Sequence, residues 1–280
     1  MDIQLGTERI FVLRERGGSD QLRQQAMDHR TQAFGSGLGS VFQRPKSEDV
    51  ELIASQLRLE PFWHVSGRAQ YVYERRREYP VVASGAEVRE VTIEGTTYPV
   101  SAGPPPRTFT MAALEHCREE LAHVLDVDAR TGARVADAAA LLSGPRDEIS
   151  DPATLAADET IVVAPEQRAS FVVRQLLAEM LKPVQADRIL EESLTLETID
   201  LCYRPIRAYE FHWRPKDRRG VVEIDAATGT YRQGGSLLPQ LGRVITRDAL
   251  FDIGADTIGL LVPGGSIAVK VARAALDKGY

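Results

Sequence analysis

Lysine is scarce in this chain. Only five of its 34 basic residues are lysine (Lys46, Lys182, Lys216, Lys270 and Lys278), and the rest are arginine. Acidic residues outnumber basic ones, for a formal net charge of -6. That balance argues against bulk nucleic-acid binding, which needs a field of positive charge to displace counterions from phosphates; a local basic site for an anionic ligand stays open. Cysteine is scarcer still, with only Cys117 and Cys202, too few for a disulfide-stapled secreted scaffold. No apolar run is long enough to cross a bilayer. The opening MDIQLGTERIFVLRERGG spaces acidic and basic residues through its apolar positions, unlike a signal peptide. The expectation is a cytoplasmic protein with reduced thiols and no transmembrane segment.

Reaction-defining motifs are missing as well. GSGLGS (residues 35–40) lacks the last glycine of the dinucleotide fingerprint, and no Lys-Ser/Thr pair follows it, so a flexible loop is expected there. EHCREELAH (residues 115–123) lacks the metalloprotease spacing. Read as a helix, it would set His116, Glu120 and His123 on one side, the one place where three metal ligands would converge. The plainer reading is a solvated helix face. Cys117 beside His116 suggests an activated thiol, but neighbours on a helix diverge, and small buried cysteines are more ordinary. No catalytic residue and no cofactor are assigned.

What is present describes a folded protein: 280 residues, 43% apolar and 26% charged. Four segments are expected. Residues 1–44 carry a strand (RIFVLRERG) and a helix (SDQLRQQAMDHRTQAF). Residues 45–160 begin with a capped helix in which Val50, Ile53, Ala54 and Leu57 fall at helical spacing. Strands follow, then a hairpin turning at Glu94-Gly95, the proline loop SAGPPPRT and the helix-like MAALEHCREELAHVL. Residues 161–235 open with a helix through Phe171, Val172, Leu176 and Met180, add a short helix at VQADRILEES, and close with strands and the hairpin GVVEIDAATGTYRQGG. Residues 236–280 form a glycine-containing tail of two amphipathic helical pieces divided by Pro263, packed on the body or on a partner.

Two phrases echo each other. GRAQYVYERRREY and IRAYEFHWRPKDRRG both run from aromatics into arginines, with Trp63, Tyr71 and Tyr73 at one constant spacing from Tyr203, Phe211 and Trp213. DARTG at Asp128 and DAATG at Asp225 echo as well, which suggests an internal duplication. A helix followed by antiparallel strands and a closing VEIDAATGTYR hairpin resembles the PepSY and cystatin-like modules. The resemblance implies an α+β fold of two helix-plus-antiparallel-sheet units with a helical C-terminal tail. It also implies a non-catalytic role in binding proteins.

Candidate contact residues are the arginine clusters, Arg75, Arg76 and Arg77 in the first unit and Arg214, Lys216, Arg218 and Arg219 in the second. Both are suited to carboxylate-rich surfaces, phosphate or anionic headgroups. Beside them stand Trp63 and Trp213. The functional expectation is a non-enzymatic interaction or assembly module, with a protein partner or self-association through arginine-rich hairpin tips, strand edges and the C-terminal helices. The alternatives are a metal-dependent hydrolase built on His116, Glu120 and His123, and a small-ligand sensor with an aromatic pocket between sheets.

Overall fold

The structure is a computed structural model and describes residues 2–35, 45–156, 160–181, 183–233, 247–253 and 270–273. In chain order its elements are β1 (Asp2–Leu13), α1 (Ser19–Asp28), β2 (Val50–Val82), β3 (Glu90–Ile93), β4 (Thr96–Pro99), β5 (Thr108–Asp128), α2 (Ala138–Leu142), β6 (Arg146–Ile149), β7 (Ile161–Val162), α3 (Ala169–Met180), β8 (Arg188–Trp213), β9 (Arg218–Asp225), β10 (Thr230–Gln233), α4 (Arg247–Leu250) and β11 (Lys270–Arg273).

Strand dominates, and the described strands other than the β3–β4 hairpin join one mixed sheet. At its centre β8 runs antiparallel to β2, from Val50 opposite Trp213 to Glu74 opposite Arg188. The other edge of β8 is shared by two strands. β1 lies parallel along its first half, with Asp2 opposite Ser193 and Val12 opposite Tyr203, and β9 lies antiparallel along its second half. β5 and the short β7 border the far side of β2, β6 and β11 border β1, and β10 borders β9.

This architecture overturns the α+β fold of two helix-plus-sheet units, and with it the cystatin-like reading. α3 does not pair off with the strands that follow it as a separate unit; it packs on β2 and β5, which precede it, as well as over residues of β8, while α1 packs on β9 and β8. The joints that hold the helices are the two echoed turns. Ala129 N–H donates to Pro61 O at 3.0 Å and Ala226 N–H to Pro205 O at 2.8 Å. Ala129 O then accepts from Glu166 N–H, ahead of α3, and Ala226 O from Arg16 N–H, ahead of α1. In both turns the aspartate caps the following amides, and a glycine, Gly132 or Gly229, sits at positive φ, where other residues are strained. The likeness ends at these turns: β2 and β8 are neighbours in one sheet, with Pro61 opposite Tyr203, and not the cores of two duplicated units.

Three predicted helices are strands instead. Val50, Ile53, Ala54 and Leu57 begin β2, VQADRILEES runs into β8, and MAALEHCREELAHVL lies within β5. The helical tail is corrected too. Its described part holds the single turn α4, and Lys270–Arg273 pairs parallel with Asp2–Leu5. The rest of the tail and residues 36–40 of GSGLGS lie outside the described residues. The helices at α1 and α3 and the turn at Glu94-Gly95, with both residues at positive φ, agree with expectation.

Alternation along the strands gives the sheet two unlike faces. On one, Trp63, Val65, Tyr71, Leu196, Leu201 and Tyr203 pack under the buried side of α3, and Tyr209, Phe211 and Trp213 pack under α1. Gly67 lets α3 come close, since a β-carbon there would lie 3.2 Å from Met180 Sδ and 3.3 Å from Leu176 Cδ2. The other face has a small apolar patch of Phe11, Leu13, Phe62 and Cys202 under Leu141 of α2. Beside that patch lies a row of charge: the Arg58 guanidinium, 4% exposed, donates to Glu60 and Glu223 at 2.8 Å each. Arg204 and Arg232 flank the Asp225 carboxylate, each at 3.5 Å. Burial pushes that carboxyl's pKa up while Arg204 and its capped amides oppose the rise.

The chain after β10 closes the larger core. Phe251 meets the buried Trp63 ring edge-on, centroids 5.4 Å apart, with Leu250 and Ile253 buried beside it. Phe251→Ala should therefore lower unfolding free energy by about 3–5 kcal/mol in denaturant titrations. A loss within experimental scatter would show that this segment does not belong to the core.

Candidate interaction site

β2 is far longer than its partner β8. Its pairing with β8 ends at Glu74, whereas its pairing with β5 continues to Val82 opposite Thr108. Arg75–Val82 and Thr108–Glu115 therefore leave the body as a two-stranded arm, tipped by the β3–β4 hairpin and the proline loop. Near the arm's root, Asp187 N–H donates to Glu74 O at 2.9 Å and the Asp187 carboxylate accepts from Arg76 N–H, which ties the start of β8 to it.

One face of the arm is organised around Glu115. Its carboxylate accepts from Arg75 Nε and from the Tyr79 hydroxyl. These two hydrogen bonds, that of Tyr79 first, hold the Glu115 pKa below the usual carboxylate value, and the same contacts raise those of Tyr79 and Arg75. The Arg75 guanidinium also lies over the Tyr73 ring, 5.9 Å from its centroid, while the Tyr73 hydroxyl donates to Glu119 at 2.7 Å. On the other face, Arg76, Glu78, Pro80 and Val82 of β2 and Ala112 and Leu114 of β5 are exposed.

The structure separates the residues singled out from sequence. Arg75 is engaged with Glu115, whereas Arg76 and Arg77 have exposed side chains on the arm. Arg214, Lys216, Arg218 and Arg219 lie at the turn between β8 and β9, beside the start of β2 and so at its opposite end. There Arg214 donates to Glu48 O at 2.7 Å and Arg219 approaches Glu210 at 3.8 Å. The two clusters are separate sites. Trp63 is fully buried and donates to Gln167 O at 2.8 Å, and Trp213 packs against Phe34, so both are core residues.

Nor do His116, Glu120 and His123 converge. β5 is a strand, so His116 and Glu120 fall on one face and His123 on the other. His116 lies 3.2 Å from Glu74, and His123 contacts Glu179 of α3. Among the described residues no group of three or more His, Cys, Asp or Glu side chains is placed to hold a metal ion. Buried Cys202 has its thiol pKa pushed up strongly, chiefly by burial, and such a thiol is unreactive.

Sequence reasoning missed Glu115, Tyr79, Tyr73 and Glu119, because a helical reading of 111–125 scatters Glu115 and Glu119 and leaves Tyr73 and Tyr79 without these partners. Period-two spacing was the available signal: Glu115, Cys117, Glu119, Leu121 and His123 share a face once the segment is read as a strand. The chain matches no protein-family model, no curated protein and no solved structure in the comparisons made. Among the described residues no helix is long and apolar enough to cross a membrane.

The Tyr73–Glu119 contact has a measurable signature. The hydrogen bond to Glu119, then burial, raises the Tyr73 pKa to about 12. A raised phenol pKa stabilises the fold below the unfolded value of about 10, and that contribution is lost as pH rises through about 12. Spectrophotometric titration compared with that of Tyr73→Phe should isolate a late-ionising phenol at this position, and Glu119→Gln should move it toward the ordinary value. An unchanged titration would mean that the hydrogen bond is not formed in solution.

Proposed function

We propose that this chain is a non-enzymatic interaction module and that the β2–β5 arm is its contact element. The observation that carries the reading is the continuation of β2 and β5 past the last pairing with β8. An arm built this way adds little to the core, yet it holds an extended surface in a fixed direction. It presents a tyrosine and arginines, residue types that dominate binding energy at protein interfaces, with Tyr79 42% exposed and Leu114 49% exposed. The Glu115 contacts fix Arg75 and Tyr79 before any partner arrives, so less side-chain freedom is lost on binding. Arg76 and Arg77 remain to meet acidic groups.

A photo-crosslinking residue in place of Tyr79 should give a discrete adduct with one protein, identifiable by mass spectrometry, while the same residue in place of Gln24 on α1 should not. The purified complex should weaken about tenfold or more on combined Arg76→Ala and Tyr79→Ala substitution. Adducts of equal yield from both positions, or none from Tyr79, would overturn the reading.

A further inference from the structure

The partner is open in that reading, and the outer edge of β5 narrows it. One edge of β5 is paired with β2 along its whole length from Phe62 onward. On the other, backbone pairing among the described residues is confined to the ends. Thr108 O accepts from Ser101 N–H at 2.7 Å, and the returning chain bonds Asp128 N–H to Ala133 O at 2.8 Å and Val135 N–H to Asp126 O at 3.0 Å. Between them, residues 109–125 present an open edge among the described residues. An edge of that length recruits another strand unless something blocks it. Of the usual blocks FTMAALEHCREELAHVL lacks lysine, proline and a glycine-marked bulge, and its charges are Glu115, Arg118, Glu119 and Glu120.

Its side chains are also complementary to themselves. Run antiparallel against a second copy with Glu119 on the two-fold axis, the segment sets Arg118 opposite Glu120 of the second copy, and Glu120 opposite its Arg118. Leu114 meets Val124, each 49% exposed in the single chain, and His116 meets Ala122. On the opposite face Glu115 meets His123 and Cys117 meets Leu121. On the axis Glu119 meets Glu119, one like pair against two Arg118–Glu120 pairs; slipping the register by two residues either way sets Arg118 against Arg118 or Glu120 against Glu120 and loses both opposite-charge pairs that offset it. Odd slips exchange the faces. Arg118 and Glu120 are well exposed, at 62% and 53%, and paired with each other along one strand, so they are free to exchange that contact for one across the axis.

We infer that the β5 edge binds a second copy of this chain, joining two sheets through an antiparallel β5–β5 ladder in that register. The inference rests on the interaction-module reading and names its partner. The contact is isologous, so it closes at a dimer.

Light scattering across a concentration series should show a monomer–dimer equilibrium. Arg118→Glu and Glu120→Arg should each weaken it by about tenfold or more through like-charge pairs, and the double variant should restore it. Spin labels at single sites should give the shortest label-to-label distance at position 119, rising by about 7 Å per residue on either side, twice the strand rise. Circular dichroism should show all variants folded. A monomer at every concentration, a dimer indifferent to the charge exchange, or protected edge amides across 109–125 in monomeric protein would overturn the inference. If Tyr79 crosslinks to a different protein in that case, the interaction-module reading stands; if it crosslinks to nothing, both fall.

Discussion

The β2–β8 ladder is the constraint on which the rest of the molecule depends. Each strand pairs on both edges, so the two define where every other strand of the sheet lies. A ladder this long cannot stay regular, because twist accumulates along it. Register shifts at Leu52/Ala54, Ser66/Gly67 and Val72/Tyr73 break it into shorter stretches, and such bulges bend a strand and change its twist. The second shift lies where Gly67 meets α3, so curvature and helix packing are settled at one place.

The register of this ladder is specified from both faces. A slip of one residue would carry Trp63 and Tyr203 to the charged side and bring Arg58 and Glu223 under the helices. Apolar burial alone penalises half of that error. The ionic row penalises the other half, since a buried charge stripped of its partners is far costlier than a paired one. The pairs Arg9–Asp200, bidentate at 3.0 Å, and His64–Asp126, at 2.7 Å, continue the polar side along the same strands. Glu60 and Arg204, directly opposite each other, stand at the middle of this arrangement.

What was legible in the sequence was local. The turns at Glu94-Gly95, Asp128 and Asp225 carry their own chemistry in a glycine and a capping aspartate, and α3 carries an apolar stripe of residues that belong in a helix. β5 was not legible, because Ala, Leu and Glu favour helix in isolation, and only a neighbour 46 residues away, as between Tyr73 and Glu119, makes a strand of them. The same holds for the start of β8. Which of the clustered arginines are engaged depends on partners such as Glu115 and Glu210 that proximity in sequence does not reveal. The resemblance between the aromatic phrases reflected strand chemistry, and the likeness of the Asp128 and Asp225 turns is local, not the mark of two duplicated units.

The parallel pairing of β1 with β8 also bears on the order in which the molecule assembles. Asp2 finds its neighbour at Ser193 and Val12 at Tyr203, so β8 must be made before β1 can take its place beside it; until then only Ile10–Leu13 has a described strand partner, in β6. Contacts this distant in sequence are slow to form, since a large loop must close before they return any free energy. During synthesis the β2–β5 hairpin and α3 emerge ahead of β8. Most of β1, and Leu22 and Ala26 of α1, lack their sheet partners until β8 and β9 emerge, and unpaired strand of that kind is prone to misassociation.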